Sequence, residues 1–133
     1  MKKFIALIQA RMTSTRLPGK VLIKVNGKYI LEYVIERVKG SKCDDIIICT
    51  TINKEDDPIE KFCREKGIKT FRGSECDVLG RFFQALKDES NATAVRITAD
   101  NPLVDPSVIN YLIDIHETHN NSVTTNYFTK SFP

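Results

Sequence analysis

Ile46-Ile47-Ile48-Cys49-Thr50-Thr51 is β-branched and almost continuously apolar. A strand that is apolar at nearly every position, not at every second one, has to be covered on both faces, which is the condition of a central parallel strand. Asp57-Pro58-Ile59-Glu60 then brings an N-cap, a proline at the first helical position and a glutamate at the capping-box position, predicting a helix that runs to Gly67. Strand, cap and helix come in the order a βα unit requires.

The same unit recurs. Phe4-Ile5-Ala6-Leu7-Ile8-Gln9-Ala10 reads as a buried first strand, and Val21-Leu22-Ile23-Lys24-Val25 as a short extended piece turned by Asn26-Gly27. Ile30, Leu31, Val34, Ile35 and Val38 have helical spacing up to Gly40. Ile68-Lys69-Thr70-Phe71 is a short strand, and Asp77 can cap a third helix built on Val78, Leu79, Phe82, Phe83 and Leu86, with Arg81 off the apolar stripe. Ala94-Val95-Arg96-Ile97-Thr98-Ala99 is a fourth strand, and Asp105-Pro106 opens a helix through Ile109, Leu112, Ile113 and His116. Ser122-Val123-Thr124-Thr125-Asn126 has the composition of one more strand. Four or five such repeats predict an α/β fold, a mostly parallel sheet with helices on both faces.

At 133 residues the chain is expected to form a single domain, and 41% hydrophobic with 28% charged residues is ordinary for a globular protein. A net charge of +3 is too small to argue for a nucleic-acid surface. No apolar run approaches the roughly 20 residues that span a bilayer, and Met1-Lys2-Lys3-Phe4 leads into a strand and not a signal peptide, so neither membrane nor export is expected and the location is read as cytoplasmic. Cys43, Cys49, Cys63 and Cys76 form no CxxC pair and have no histidine at ligand spacing, which reads as reduced thiols. His116 and His119 lie near a helix end without a third ligand, which suits the negative helix terminus or plain exposure better than a metal.

The first strand stops abruptly at Arg11-Met12-Thr13-Ser14-Thr15-Arg16-Leu17-Pro18-Gly19-Lys20. Arg11, Arg16 and Lys20 can bring three positive charges around one small volume, Thr13, Ser14 and Thr15 add hydroxyl donors, and Pro18-Gly19 forces a turn that can expose backbone N–H groups. Such a loop suits a polyphosphate; a solvated basic loop is the alternative reading of the same charges. Neither GxxxxGK[ST] nor GxGxxG is present. In open parallel sheets ligands sit outside the carboxyl ends of the strands, so the loops starting at Arg11, Arg72 and Asp100 are expected to converge. There Asp100 either binds a hard cation or closes an Asx-type turn before Pro102.

Gln9-Ala10-Arg11 followed by Ser14-Thr15-Arg16-Leu17-Pro18-Gly19-Lys20 resembles the N-terminal signature of the cytidylyltransferases that activate acidic sugars, the KDO and acylneuraminate enzymes and their relatives in spore coat polysaccharide biosynthesis. The resemblance implies a three-layer α/β/α, Rossmann-like fold of the nucleotide-diphospho-sugar transferase type. All 133 residues correspond to the N-terminal part of it, and the chain looks truncated at Phe132-Pro133. It implies transfer of CMP from CTP to an acidic sugar with release of pyrophosphate. Arg11, Arg16 and Lys20 would carry the catalysis, and Gln9, Ala10, Ser14, Thr15, Thr98 and Ala99 would join them in holding the nucleotide.

Thr98-Ala99-Asp100-Asn101-Pro102-Leu103 matches the family's metal motif except that Asn101 stands where an acidic residue is usual, which implies Mg²⁺ on Asp100. The family's second aspartate would fall beyond Pro133. Arg72, Gly73 and Ser74, with Asp77 and Arg81, resemble the segment that contacts the base and the acceptor, although the histidine and the serine-glycine-threonine-aspartate run of the KDO and sialic acid enzymes are missing. CTP and an acidic sugar are the expected partners, with a homodimer left open. A nucleotide-binding module without turnover and a glycosyltransferase of related fold are the rival readings. The second would want an Asp-x-Asp pair at a strand end, and none occurs.

Overall fold

The structure is a computed structural model that describes residues 2–127. Four strands, β1 (Lys3–Gln9), β4 (Asp45–Thr51), β5 (Lys69–Gly73) and β6 (Ala92–Thr98), form one wholly parallel sheet in the order β5-β4-β1-β6. Each crossover carries a helix: α1 (Ile30–Lys39) precedes β4, α2 (Asp57–Glu65) precedes β5, and α3 (Val78–Ala85) precedes β6, with α4 (Pro106–Thr118) following. β1 is the spine, pairing with β4 on one side from Ile5 to Gln9 and with β6 on the other along its whole length.

Alternation along β1 makes the three layers. Phe4, Ala6, Ile8 and Ala10 face a core shared with Leu31, Val34, Ile35 and Val38 of α1, Ile59, Phe62 and Cys63 of α2, and Ile109 and Ile113 of α4. Ile5 and Leu7 face the other way, onto Phe82 of α3. Fully burying a side chain such as Leu7 or Ile48 stabilises the fold by about 1.5–3 kcal/mol, so this spine cannot exchange register without large loss.

Three local expectations are corrected. Only Lys24–Val25 (β2) of the predicted extended piece is strand; Lys20–Leu22 is a turn of 3₁₀ helix because Val21 tucks into the core. β2 pairs antiparallel with β3 (Lys28–Tyr29) across Asn26-Gly27, whose φ values of 50° and 82° are the left-handed pair a two-residue hairpin turn needs. The N-cap of α2 is Asp56, not Asp57. Residues 122–126 are not strand, since β propensity without a partner edge does not make one, and Val123 is exposed. The terminal aromatic run from Phe128 lies outside the described residues.

Candidate functional site

The loop after β1 is shaped by backbone bonds at both ends. Ala10 N–H continues the ladder to the Cys49 carbonyl at 3.0 Å, and Gly19 N–H closes onto the Met12 carbonyl at 2.7 Å. Gly19 has φ +72°, a left-handed turn that glycine makes without steric cost. The chain then drops through Val21 into the core, leaving Arg11, Thr13, Thr15 and Arg16 exposed between two fixed points. Ser14 Oγ accepts the Leu17 N–H at 3.4 Å, so its hydroxyl proton remains free to donate outward.

This loop meets the end of β6 across a cleft of about 310 Å³. The cleft is lined by loop residues Arg11, Thr13, Ser14, Thr15, Arg16 and Lys20, and opposite them by Gln9, Arg96, Thr98 and Asp100. Lys20 Nζ lies 2.6 Å from Asp100 Oδ2, joining positions 80 residues apart. The Lys20 ammonium beside Asp100 holds its carboxyl below the usual carboxylate range against partial desolvation, and the Thr98 hydroxyl acts in the same direction as Lys20. Among the described residues Arg11 and Arg16 have no acidic partner. Four cations, Arg11, Arg16, Lys20 and Arg96, thus face one carboxylate in a cleft rich in hydroxyl donors. Chemically this is a seat for an anion carrying several charges.

Of the residues singled out from sequence, Gln9, Arg11, Ser14, Thr15, Arg16, Lys20, Thr98, Ala99 and Asp100 all line the cleft. Ala10 is buried beneath it. Arg72, Gly73 and Ser74 are not brought there. They lie at and beyond the end of the edge strand β5, with β4 between them and β1. The Arg72 guanidinium is fully engaged: it donates to the Thr51 and Asn53 carbonyls at 2.7 and 2.8 Å and pairs with Asp57 and Glu60. Asp77 caps α3 through the Gly80 N–H at 2.8 Å. Arg81, expected off the apolar stripe, is buried, with its guanidinium on the Ser74 carbonyl at 2.9 Å.

Arg96 is a residue of the cleft that the sequence alone does not single out. It sits over the Phe82 ring at 5.9 Å and reaches Gln9 Oε1 at 3.5 Å, where β1 and β6 run in register with Leu7 opposite Arg96. The available signal was an arginine two residues before the strand-end threonine, and its use depended on knowing which strand lies beside β1.

The profile of the family described as "Cytidylyltransferase" matches residues 5–132. The chain belongs to the cytidylyltransferase family. Within that family it is 50% identical over 113 residues to an uncharacterised protein of Methanocaldococcus jannaschii, covering 84% of this chain and 46% of the relative. It is 38% identical over 121 residues to the spore coat polysaccharide biosynthesis protein SpsF of Bacillus subtilis, covering 87% and 50%. Curated 3-deoxy-manno-octulosonate cytidylyltransferases match as well. A solved cytidylyltransferase from Leptospira borgpetersenii superposes with a TM-score of 0.82 at 36% identity, over 92% of this chain and 51% of that one. The chain spans about half the length of the curated relatives it matches. The α/β fold of the described residues is therefore one found in a solved cytidylyltransferase, and no helix among them is long and apolar enough to cross a membrane.

Proposed function

We propose that this cytidylyltransferase-family chain supplies the CTP-binding part of an enzyme that transfers CMP to an acidic sugar in polysaccharide biosynthesis, releasing pyrophosphate. The observation that carries the reading is the meeting of Arg11, Arg16 and Lys20 with Asp100 in one cleft at the carboxyl ends of β1 and β6. A hydroxyl oxygen of the anionic sugar acid attacks the α-phosphorus in line and gives up its proton to solvent, the bond from that phosphorus to the oxygen it shares with the β-phosphate breaks, and pyrophosphate leaves. No side-chain nucleophile is needed, so positioning and charge neutralisation carry the rate. Arg11 and Arg16 hold the triphosphate through charge-assisted hydrogen bonds and neutralise charge gathering on the leaving pyrophosphate. Lys20 orients the phosphates from the Asp100 side, and Thr13, Ser14 and Thr15 donate to phosphate oxygens.

Mg²⁺ fits the donor set in one particular way. No trio of His, Cys, Asp or Glu side chains converges among the described residues, and Asp100 is the one acid lining the cleft. A single carboxylate plus phosphate oxygens and water is an ordinary Mg²⁺ environment, whereas an all-protein cage is not available here. Held by Asp100, the ion would supply charge neutralisation on the phosphates.

Calorimetry with CTP, ATP, GTP and UTP in the presence of Mg²⁺ tests the reading. CTP is expected to bind preferentially, and Arg16→Ala to weaken it about tenfold or more, the value of a charge-assisted hydrogen bond. Equal indifference to the four nucleotides would sink the proposal. A binding module without turnover is the second reading, favoured by Asp100 being the one acid in the cleft among the described residues. Pyrophosphate release with candidate sugar acids separates the two.

A further inference from the structure

We propose that Asp56 is a positioning residue that holds the anion loop in its binding shape from beneath. The proposal rests on that loop being the phosphate seat. Asp56 occupies the N-cap position of α2, yet its side chain caps nothing there. It is 2% exposed, and both oxygens are used elsewhere. Oδ1 accepts the backbone N–H of Met12, 44 residues upstream, at 2.7 Å, and Oδ2 accepts the Thr51 hydroxyl. Met12 is the residue whose carbonyl receives Gly19 N–H. One residue is thus held by its N–H from the protein interior and by its carbonyl from the far end of the loop, and the chain from Arg11 to Lys20 is pinned at both sides of it.

The platform under Asp56 is itself fixed. Thr51, 1% exposed, ends β4 and accepts Asn53 N–H at 3.1 Å, so its hydroxyl proton is directed to Asp56. Arg72 ties the same segment down through the Thr51 and Asn53 carbonyls and the Asp57 carboxylate. Arg72 therefore reaches the anion loop by relay, through the segment that carries Asp56. Without the Asp56 acceptor the Met12 N–H is left unpaired at the loop's root, and the loop can satisfy it only by leaving the conformation that gathers Arg11, Arg16 and Lys20.

The test is calorimetric titration of the full-length protein with CTP and with inorganic tripolyphosphate. Asp56→Ala is expected to weaken both about tenfold, as when the competent loop conformer falls to about a tenth of the population. Asp56→Asn, whose amide oxygen still accepts Met12 N–H, should bind within about twofold of the parent. Ile59→Val, a core change in α2 that removes no hydrogen bond, should leave affinity unaltered. A folded Asp56→Ala protein that binds tripolyphosphate as tightly as the parent overturns the proposal. Amide exchange on the unmutated protein decides the matter if that variant does not fold. Met12 N–H should exchange far more slowly than the neighbouring loop amides of Thr13 and Thr15, and exchange at their rate would also overturn it. Failure of the unmutated protein to bind tripolyphosphate at all removes the phosphate-seat reading and the positioning role with it, while Met12 protection reports separately whether the latch exists.

Discussion

Asp100 faces four cations and bonds one of them, Lys20, at 2.6 Å. Its carboxyl is held low in the folded chain, chiefly by the hydrogen bond from Lys20, so whatever stability it contributes is complete above the ordinary carboxylate range and disappears as pH falls through the lowered value. Because both side chains are partly exposed, that contribution is about a few tenths of a kcal/mol. Lys20→Met should move the Asp100 titration upward toward the ordinary range, read by carboxyl NMR; an unmoved titration would mean that the two groups are not paired in solution. Arg11, Arg16 and Lys20 are legible because they stand within ten residues of one another in a single loop directly after an apolar run. Arg96 and Arg72 were not, for opposite reasons. Arg96 owes its place to pairing between strands distant in sequence, and Arg72 is withdrawn by Asp57 and Glu60, neutralising partners whose aim no composition reveals.

α3 shows how a cap and a glycine constrain each other. Asp77 accepts Gly80 N–H, and a Cβ built on Gly80 would stand 2.1 Å from Asp77 Oδ2. Asp77→Ala should cost about 1 kcal/mol in urea denaturation, the usual worth of a side-chain N-cap. Gly80→Ala would gain about 1 kcal/mol from helix propensity but must swing Asp77 off the cap, so alone it should be nearly neutral. In the Asp77→Ala background the full gain should return, a coupling of about 1 kcal/mol; strictly additive effects would contradict the contact. The Asp77 cap was visible in the sequence because the helix begins where its apolar spacing begins. The role of Asp56 was hidden, since an aspartate beside Asp57-Pro58 reads as one more helix-start acid and its true partner, Met12, is a backbone group in another element.

At the scale of the whole molecule, the sheet was legible from continuous apolar runs and capped helices, while its strand order was not. Its two cores give a direct check through the thiols. Cys49 lies within the sheet, fully buried, with its thiol pushed up to about 12 by burial, and burial also raises Cys63. At pH 8 a thiol of that kind is ionised to the order of 10⁻⁴, so labelling mapped by mass spectrometry should mark exposed Cys76 first and reach Cys49 and Cys63 only as the fold opens. Prompt labelling of Cys49 would contradict the packing of Phe82 and Leu7 around it. The order β5-β4-β1-β6 also sets a schedule for synthesis. β1, the first of these four strands to be made, lies beside β6, the fourth, so a growing polypeptide on the ribosome can bring β1, β4 and β5 together while one flank of β1 stays bare. Until Asp100 has emerged, the arginines after β1 have no opposite wall, and the nascent chain displays their charge to solvent before the cleft exists.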